Sequence, residues 1–256
     1  MIIKVLLPLI LAFIMFSLGL GLKGSDFSRV LKFPTAFCAG LLNQVILLPL
    51  VAFGLAMAFG LEPIFAVGLM ILAMCPGGVT SNMLAKLAGG NAPLSISLTA
   101  IISLLSVITV PFIVLNSLGL LGLENISKNI SLISMAISMF LIVVVPTMLG
   151  MLFRKFLTDI TIKFEPISKK ISLILFIIVL VGAILAEKNN IVSYFKDAGL
   201  ITLILNIAMM LIAFYVAQLF GTNLEQKKCI SIECGLQNGT LAIFVGTALF
   251  GGGVYI

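Results

Sequence analysis

One acidic side chain stands apart by its surroundings. Glu233 lies in the run Ile232-Glu233-Cys234-Gly235-Leu236-Gln237-Asn238-Gly239-Thr240, inside an apolar segment. The other eight acidic residues (Asp26, Glu62, Glu124, Asp159, Glu165, Glu187, Asp197 and Glu225) fall in expected loops. A charge at the centre of a membrane helix costs about 2.5–3.5 kcal/mol or more. No Lys or Arg lies in the interior of an apolar segment to offset it. A bound monovalent cation would do so, as would a proton on Glu233 itself. Oxygen-bearing residues accompany it. Gln237 is four residues on and shares a helical face with Glu233, and Ser95 and Thr99 have the same relation. Ser81 and Asn82 follow Cys75-Pro76-Gly77-Gly78, and Gln44 sits midway along its own apolar segment. Hydroxyl, amide and carboxylate oxygens, with carbonyls freed by a broken helix, are what a small hard cation requires.

Each of these residues has a plainer reading. Ser and Thr in membrane helices usually bond the carbonyl four residues back or a neighbouring helix. Gln44 can serve as glue between helices. Glu233 is five residues from Lys228 and can snorkel to the interface. Pro49, Pro111 and Pro146 read as kinks, the twelve Met as packing, and Asn125-Ile126-Ser127 and Asn129-Ile130-Ser131 as chance matches to a glycosylation pattern. The plain readings do not explain why the polar set gathers around two helix breaks. One is the Pro76-Gly77-Gly78 break; the other carries Gly235 and Gly239 among polar side chains. Pro removes a backbone donor and Gly weakens a helix, so continuity fails at both. Such breaks survive at membrane depth only where protein or a water-filled cavity satisfies the freed backbone. One in each half of a chain points to an inverted-repeat transporter with its site at the midplane.

The elements that must hold these residues are membrane helices. Of 256 residues, 61% are hydrophobic and 9% charged, with a mean hydropathy of +1.31. Soluble domains sit near 45–50% apolar and about 25% charged. A soluble enzyme and a secreted disulfide scaffold are both excluded. The absence of His excludes imidazole relays, Ser/His triads and His-ligated metals. The net charge of +6 does not indicate nucleic acid, because the 15 Lys and Arg lie in short clusters between apolar segments.

Crossing a bilayer takes about 20 helical residues. By that measure the chain has eight spans, approximately 2–22, 33–60, 63–89, 93–119, 130–153, 170–186, 198–220 and 229–256. Eleven basic residues gather on one side (Lys23, Arg29, Lys32, Lys86, Arg154, Lys155, Lys163, Lys169, Lys170, Lys227 and Lys228) and four on the other (Lys4, Lys128, Lys188 and Lys196). The positive-inside rule makes the first side cytoplasmic and puts both termini outside. The chain closes on Gly-Gly-Gly-Val-Tyr-Ile, still apolar, and the expectation is a shortened version of something longer.

Taken together, Cys-Pro-Gly-Gly-x-x-Ser-Asn at 75–82, Ser95 and Thr99 on the next span, Glu-x-Gly-x-Gln-Asn at 233–238, and Gln44 one span before the first motif resemble the bile acid:sodium symporter family. The resemblance runs in order along essentially the whole chain. It implies an all-α polytopic membrane protein with an inverted repeat, in which a panel domain (1–32 and 130–190) packs on a core domain (33–129 and 191–256). Two broken helices would cross in the core near the midplane. It also implies two sodium ions. One would be held by Ser81, Asn82, Ser95, Thr99 and Glu233. The other would sit between Gln44, Glu233 and Gln237, with the carbonyls of Cys234 and Leu236. The substrate would lie beside the crossover near Val79, Thr80 and Asn238, where half-helix N-termini favour an anionic group. Against the ten-span pattern of some bacterial relatives, the resemblance implies a chain without the first and last spans.

The functional expectation is a sodium-coupled symporter that imports an organic anion by alternating access, in a bacterial inner membrane. Its partners are that small anion and the lipid bilayer, with no nucleic acid and no obligate protein partner. One rival keeps the fold and couples to protons or exports its cargo, with Glu233 as the titrating group. Another is a ligand-binding membrane protein that moves nothing. An enzyme is disfavoured, because no second buried carboxylate stands beside Glu233 to form a catalytic dyad.

Overall fold

A computed structural model describes residues 2–123, 131–186 and 188–250. Both Asn-x-Ser sequences, Glu124, Lys128, Glu187 and the closing 251–256 extend into or lie outside those residues. Among the described residues every regular element is a helix, and there is no strand.

We number the helices α1 (Ile2–Gly21), α2 (Pro34–Ala58), α3 (Pro63–Met74), α4 (Val79–Leu87), α5 (Ala92–Leu120), α6 (Leu132–Phe156), α7 (Thr158–Ala186), α8 (Leu200–Leu219), α9 (Leu224–Gly235) and α10 (Gly239–Phe250). Six stretches are long and apolar enough to cross a membrane, with α9 and α10 taken as one stretch. The α3–α4 pair, bent by 63°, makes a seventh. The apolar part of α1, Leu6–Gly21, is shorter. These stretches follow the eight segments expected from hydropathy, with two corrections to where they start. The sixth span, α7, begins at Thr158, not near 170, and the eighth at Leu224, not near 229. Asp159, Glu165 and Glu225 are therefore helical where loops were expected, and Asp26 and Asp197 lie in short helical turns between spans. In α7 the cause is a polar first half whose Glu165 is paired both within the helix and from α6. Lys169 bonds Glu165 one turn away, and Arg154 bonds the other Glu165 oxygen, both at 2.7 Å.

Local chemistry sets the helix ends. Asn91 caps α5 by accepting from the Leu94 amide at 2.9 Å. Asn223 and Gln226 form a reciprocal capping box at the start of α9. Prolines act in two ways. Pro49 and Pro146 each follow a widened π turn, Leu42–Leu47 and Phe140–Val144, which accommodates the carbonyl that a proline ring would otherwise strike. Pro111 sits inside an unbroken α5.

α1 packs mainly on α6 and α7, and α8 on α9. The α1–α6 contact is backbone to backbone. A Cβ at Gly19 would overlap the Thr147 carbonyl, and one at Gly150 the Phe16 carbonyl. Small residues allow such approach where lipid supplies no hydrophobic drive between helices. The outer face of α7 exposes Ile167, Ile174, Ile177 and Ile178, which suits lipid and not water. Buried Leu98, Met74, Ile71, Met209 and Ile230 fill the centre around α3, α5, α8 and α9.

Candidate cation and substrate site

Both breaks form where the sequence interrupts the helix, and they meet. α3 ends at Met74 and α4 begins at Val79; α9 ends at Gly235 and α10 begins at Gly239. The Asn238 amide donates to the Pro76 carbonyl at 2.9 Å, joining the two interruptions. Asn238 also caps α10, its Oδ1 accepting from the Leu241 amide at 3.1 Å and the Thr240 hydroxyl at 2.6 Å. Opposite it, the Ser81 hydroxyl accepts from the Gly78 amide and donates to the Gly78 carbonyl, both at 2.9 Å, which closes the first turn of α4.

Glu233 is 2% exposed, directly behind this junction. The Ser95 hydroxyl donates to its Oε1, and the Thr99 hydroxyl to its Oε2 at 2.7 Å. Asn82 Oδ1 lies 2.7 Å from Ser95 Oγ and 3.2 Å from Thr99 Oγ1. Each hydroxyl carries one proton, so two protons face three acceptor oxygens. Gly77 is part of the same wall, since a Cβ there would run into the Glu233 carboxylate and the Ser81 hydroxyl. Snorkelling of Glu233 toward Lys228 is overturned: Lys228 instead donates to the Ala88 carbonyl at 3.0 Å. The back-bonding expected of membrane hydroxyls holds at Ser97, Ser117 and Thr147, which bond carbonyls four residues earlier. Ser95 and Thr99 depart from it by turning to Glu233.

Gln44 and Gln237 form a second cluster. Gln44 Nε2 donates to the Cys75 carbonyl at 3.1 Å and to Gln237 Oε1 at 2.6 Å, so Gln44 does act as glue between helices. Its own Oε1 is buried without a partner. Gln237 Nε2 donates to the Cys234 carbonyl at 2.9 Å, while Leu236 is extended backbone within the break. No hydrogen bond among the described residues joins this cluster to Glu233. The two polar groups are neighbours across the α9 end, not a single network.

Val79, Thr80 and Asn238 line a cavity of about 530 Å³. It lies between α1 and α7 on one side and α4 and α10 on the other. An apolar cavity of about 330 Å³ borders the same Gly239 from the α3 side, with Leu69, Leu72 and Tyr194 in its wall. Sequence reasoning missed Asn206, which donates to the Gly235 carbonyl freed by the second break. A lone Asn in the apolar run Leu203-Ile204-Leu205-Asn206-Ile207-Ala208 was the available signal.

The model of the sodium bile acid symporter family matches residues 8–194, nearly three quarters of the chain. The chain belongs to that family. It is 29% identical over 244 residues to an uncharacterized sodium-dependent transporter of Bacillus subtilis, covering 95% of this chain and 74% of that protein. A probable chloroplastic sodium/metabolite cotransporter of Arabidopsis thaliana is 27% identical, over 93% of this chain and 58% of its own length. The human ileal sodium/bile acid cotransporter is 29% identical, over 94% of this chain and 68% of its own length. The chain thus spans between just over half and three quarters of these symporter-family relatives. It is a polytopic helical membrane protein of a family whose named members are transporters, not enzymes.

Proposed function

We propose that this member of the family is a sodium-coupled symporter that imports an organic anion by alternating access. The observation that carries the reading is the surplus of acceptors at Glu233: a buried carboxylate and an amide oxygen share two hydroxyl protons. A cation with oxygen affinity supplies the missing positive charge and satisfies the surplus. The first sodium would take Ser81, Asn82, Ser95, Thr99 and Glu233. The second would take Gln44 through its unpartnered Oε1, with Gln237, Glu233 and the carbonyls of Cys234 and Leu236. Because Glu233 points to the Ser95–Thr99 side, its part in the second site requires a different carboxylate orientation.

The substrate anion would lie against Val79, Thr80 and Asn238, where α4 and α10 both begin and direct their helix N-termini. The panel would be 1–32 with 130–190, and the core 33–129 with 191–256. Their relative motion would expose the crossover to each side in turn. The cavities that border Gly239 from two sides support that movement. The membrane would be a bacterial inner membrane, with the N-terminus outside and the basic loops in the cytoplasm.

Melting of the purified chain in sodium and in potassium tests the reading. A ligand that binds only the folded state raises stability as its concentration exceeds its Kd. A sodium-specific rise in Tm that Glu233→Gln removes is the expected result. A wild-type Tm that responds equally to both cations and falls as pH rises would replace sodium with a proton on Glu233.

A further inference from the structure

The cavity beside the crossover has a polar inner end and a basic outer end. On α4, Lys86 follows Val79 by seven residues, about 10 Å along the helix axis, and both line the cavity. On α7, Lys169 and Lys170 line it from the opposite wall. Glu165 is the only acidic side chain among the described residues on this wall, and both its oxygens are occupied by Arg154 and Lys169. Among the described residues neither Lys86 nor Lys170 pairs with a carboxylate. Two positive charges therefore remain at the outer end. Between the ends the wall is apolar, with Leu18, Met83, Ile96 and Phe176.

One buried polar atom interrupts that wall. Ser172 is 4% exposed, lines the cavity, and its Oγ has no hydrogen-bond partner. It does not back-bond its own helix, as Ser168 does to the Glu165 carbonyl at 2.9 Å. Leaving a buried hydroxyl unpaired is costly unless a ligand satisfies it. Ser172 stands less than one turn from Lys169 and Lys170, so hydroxyl and charges serve the same end of the cavity.

We propose that the substrate is an organic dianion with its acidic groups about 10 Å apart, matching the axial separation of Val79 and Lys86. The inner acid lies on the α4 and α10 N-termini, and the outer acid on Lys86, Lys170 and the Ser172 hydroxyl, with an apolar body between. This rests on the reading of the cavity as the substrate site.

The test uses the purified full chain in discs of zwitterionic lipid, in sodium. The probes are nonanedioate and its monomethyl ester, which share a length and differ by one charge. Wild type should bind the dianion about tenfold more tightly than the ester. Lys86→Gln with Lys170→Gln should reduce that preference to less than about twofold, and Ser172→Ala should weaken dianion binding about threefold, with ester binding unchanged. Equal binding of the two probes overturns the proposal, as does no binding of nonanedioate at millimolar concentration. A double variant that keeps the preference but loses affinity for added anionic lipid assigns the lysines to the bilayer surface and also overturns it. The sodium-dependent Tm rise, read in the same samples without probe, separates the two levels. If that rise persists while the charge preference is absent, the symporter reading stands and the dianion falls. If the rise is absent, the symporter reading fails and takes the dianion with it.

Discussion

The two helix breaks solve one problem by different means. At the first, Pro76 removes a donor and the chain bends by 63° between α3 and α4. Its freed carbonyls are satisfied from elsewhere, Cys75 by Gln44 and Pro76 by the Asn238 amide. At the second there is no proline, and the interruption is three residues, 236–238. Its carbonyls are met partly from within, Cys234 by Gln237, and partly from α8, where Asn206 reaches Gly235. The first break is imposed by covalent structure. The second is held open by side-chain hydrogen bonds, so it is the one that substitution should close or loosen.

The largest expected effect tests what both breaks serve. Glu233→Gln should abolish the sodium-specific rise in Tm and sodium-dependent uptake in vesicles, while the purified protein stays helical by circular dichroism. Uptake that survives in this variant removes the carboxylate from the coupling scheme. Next comes Gly77→Ala at the first break. The added methyl displaces the Glu233 carboxylate and the Ser81 hydroxyl, so apparent sodium affinity should fall about tenfold, a loss of about 1.4 kcal/mol. Gly54→Ala is the control, because nothing lies within 4 Å of a Cβ there. Unchanged sodium affinity in Gly77→Ala would separate that wall from the cation site.

Smaller effects sharpen the contrast between the breaks. Asn206→Ala leaves the Gly235 carbonyl without its side-chain donor and should lower stability by about 1–3 kcal/mol, read as a sodium-independent drop in Tm. No drop would show that the second break holds without α8. Finally, Ser95→Ala and Ser97→Ala remove the same hydroxyl from one helix, two residues apart. Ser97→Ala should change stability by less than about 0.5 kcal/mol and leave the sodium response intact. Ser95→Ala should weaken that response, and equal behaviour of the pair would erase the distinction between back-bonded and site-facing hydroxyls.

The positions of the breaks were legible in the sequence because Pro and Gly act locally on the backbone. The oxygen-rich set was legible only in part: Ser95 and Thr99 are one turn apart on α5, whereas Gln237 falls in the break after Gly235 and does not share a helical face with Glu233 as the spacing suggested. What hydropathy misplaced were the starts of α7 and α9, because the first turns of both are polar. The pairing that stabilises the first turns of α7, Arg154 to Glu165, crosses from another helix. Asn206 escaped notice for a related reason, since its partner carbonyl is freed by a break 29 residues downstream.

Composition and period alone determined that this chain is helical and membrane-spanning, because apolar surface on this scale has no place in water. They also determined where its helices cannot continue. Only the tertiary structure decided which hydroxyls turn to Glu233 and which to their own backbone, and which carbonyl each glutamine reaches. It also brought Lys86 and Lys170 to one end of one cavity. Those outcomes depend on which helix faces which, and a hydrogen bond between residues more than a hundred positions apart leaves no mark in the local pattern of either.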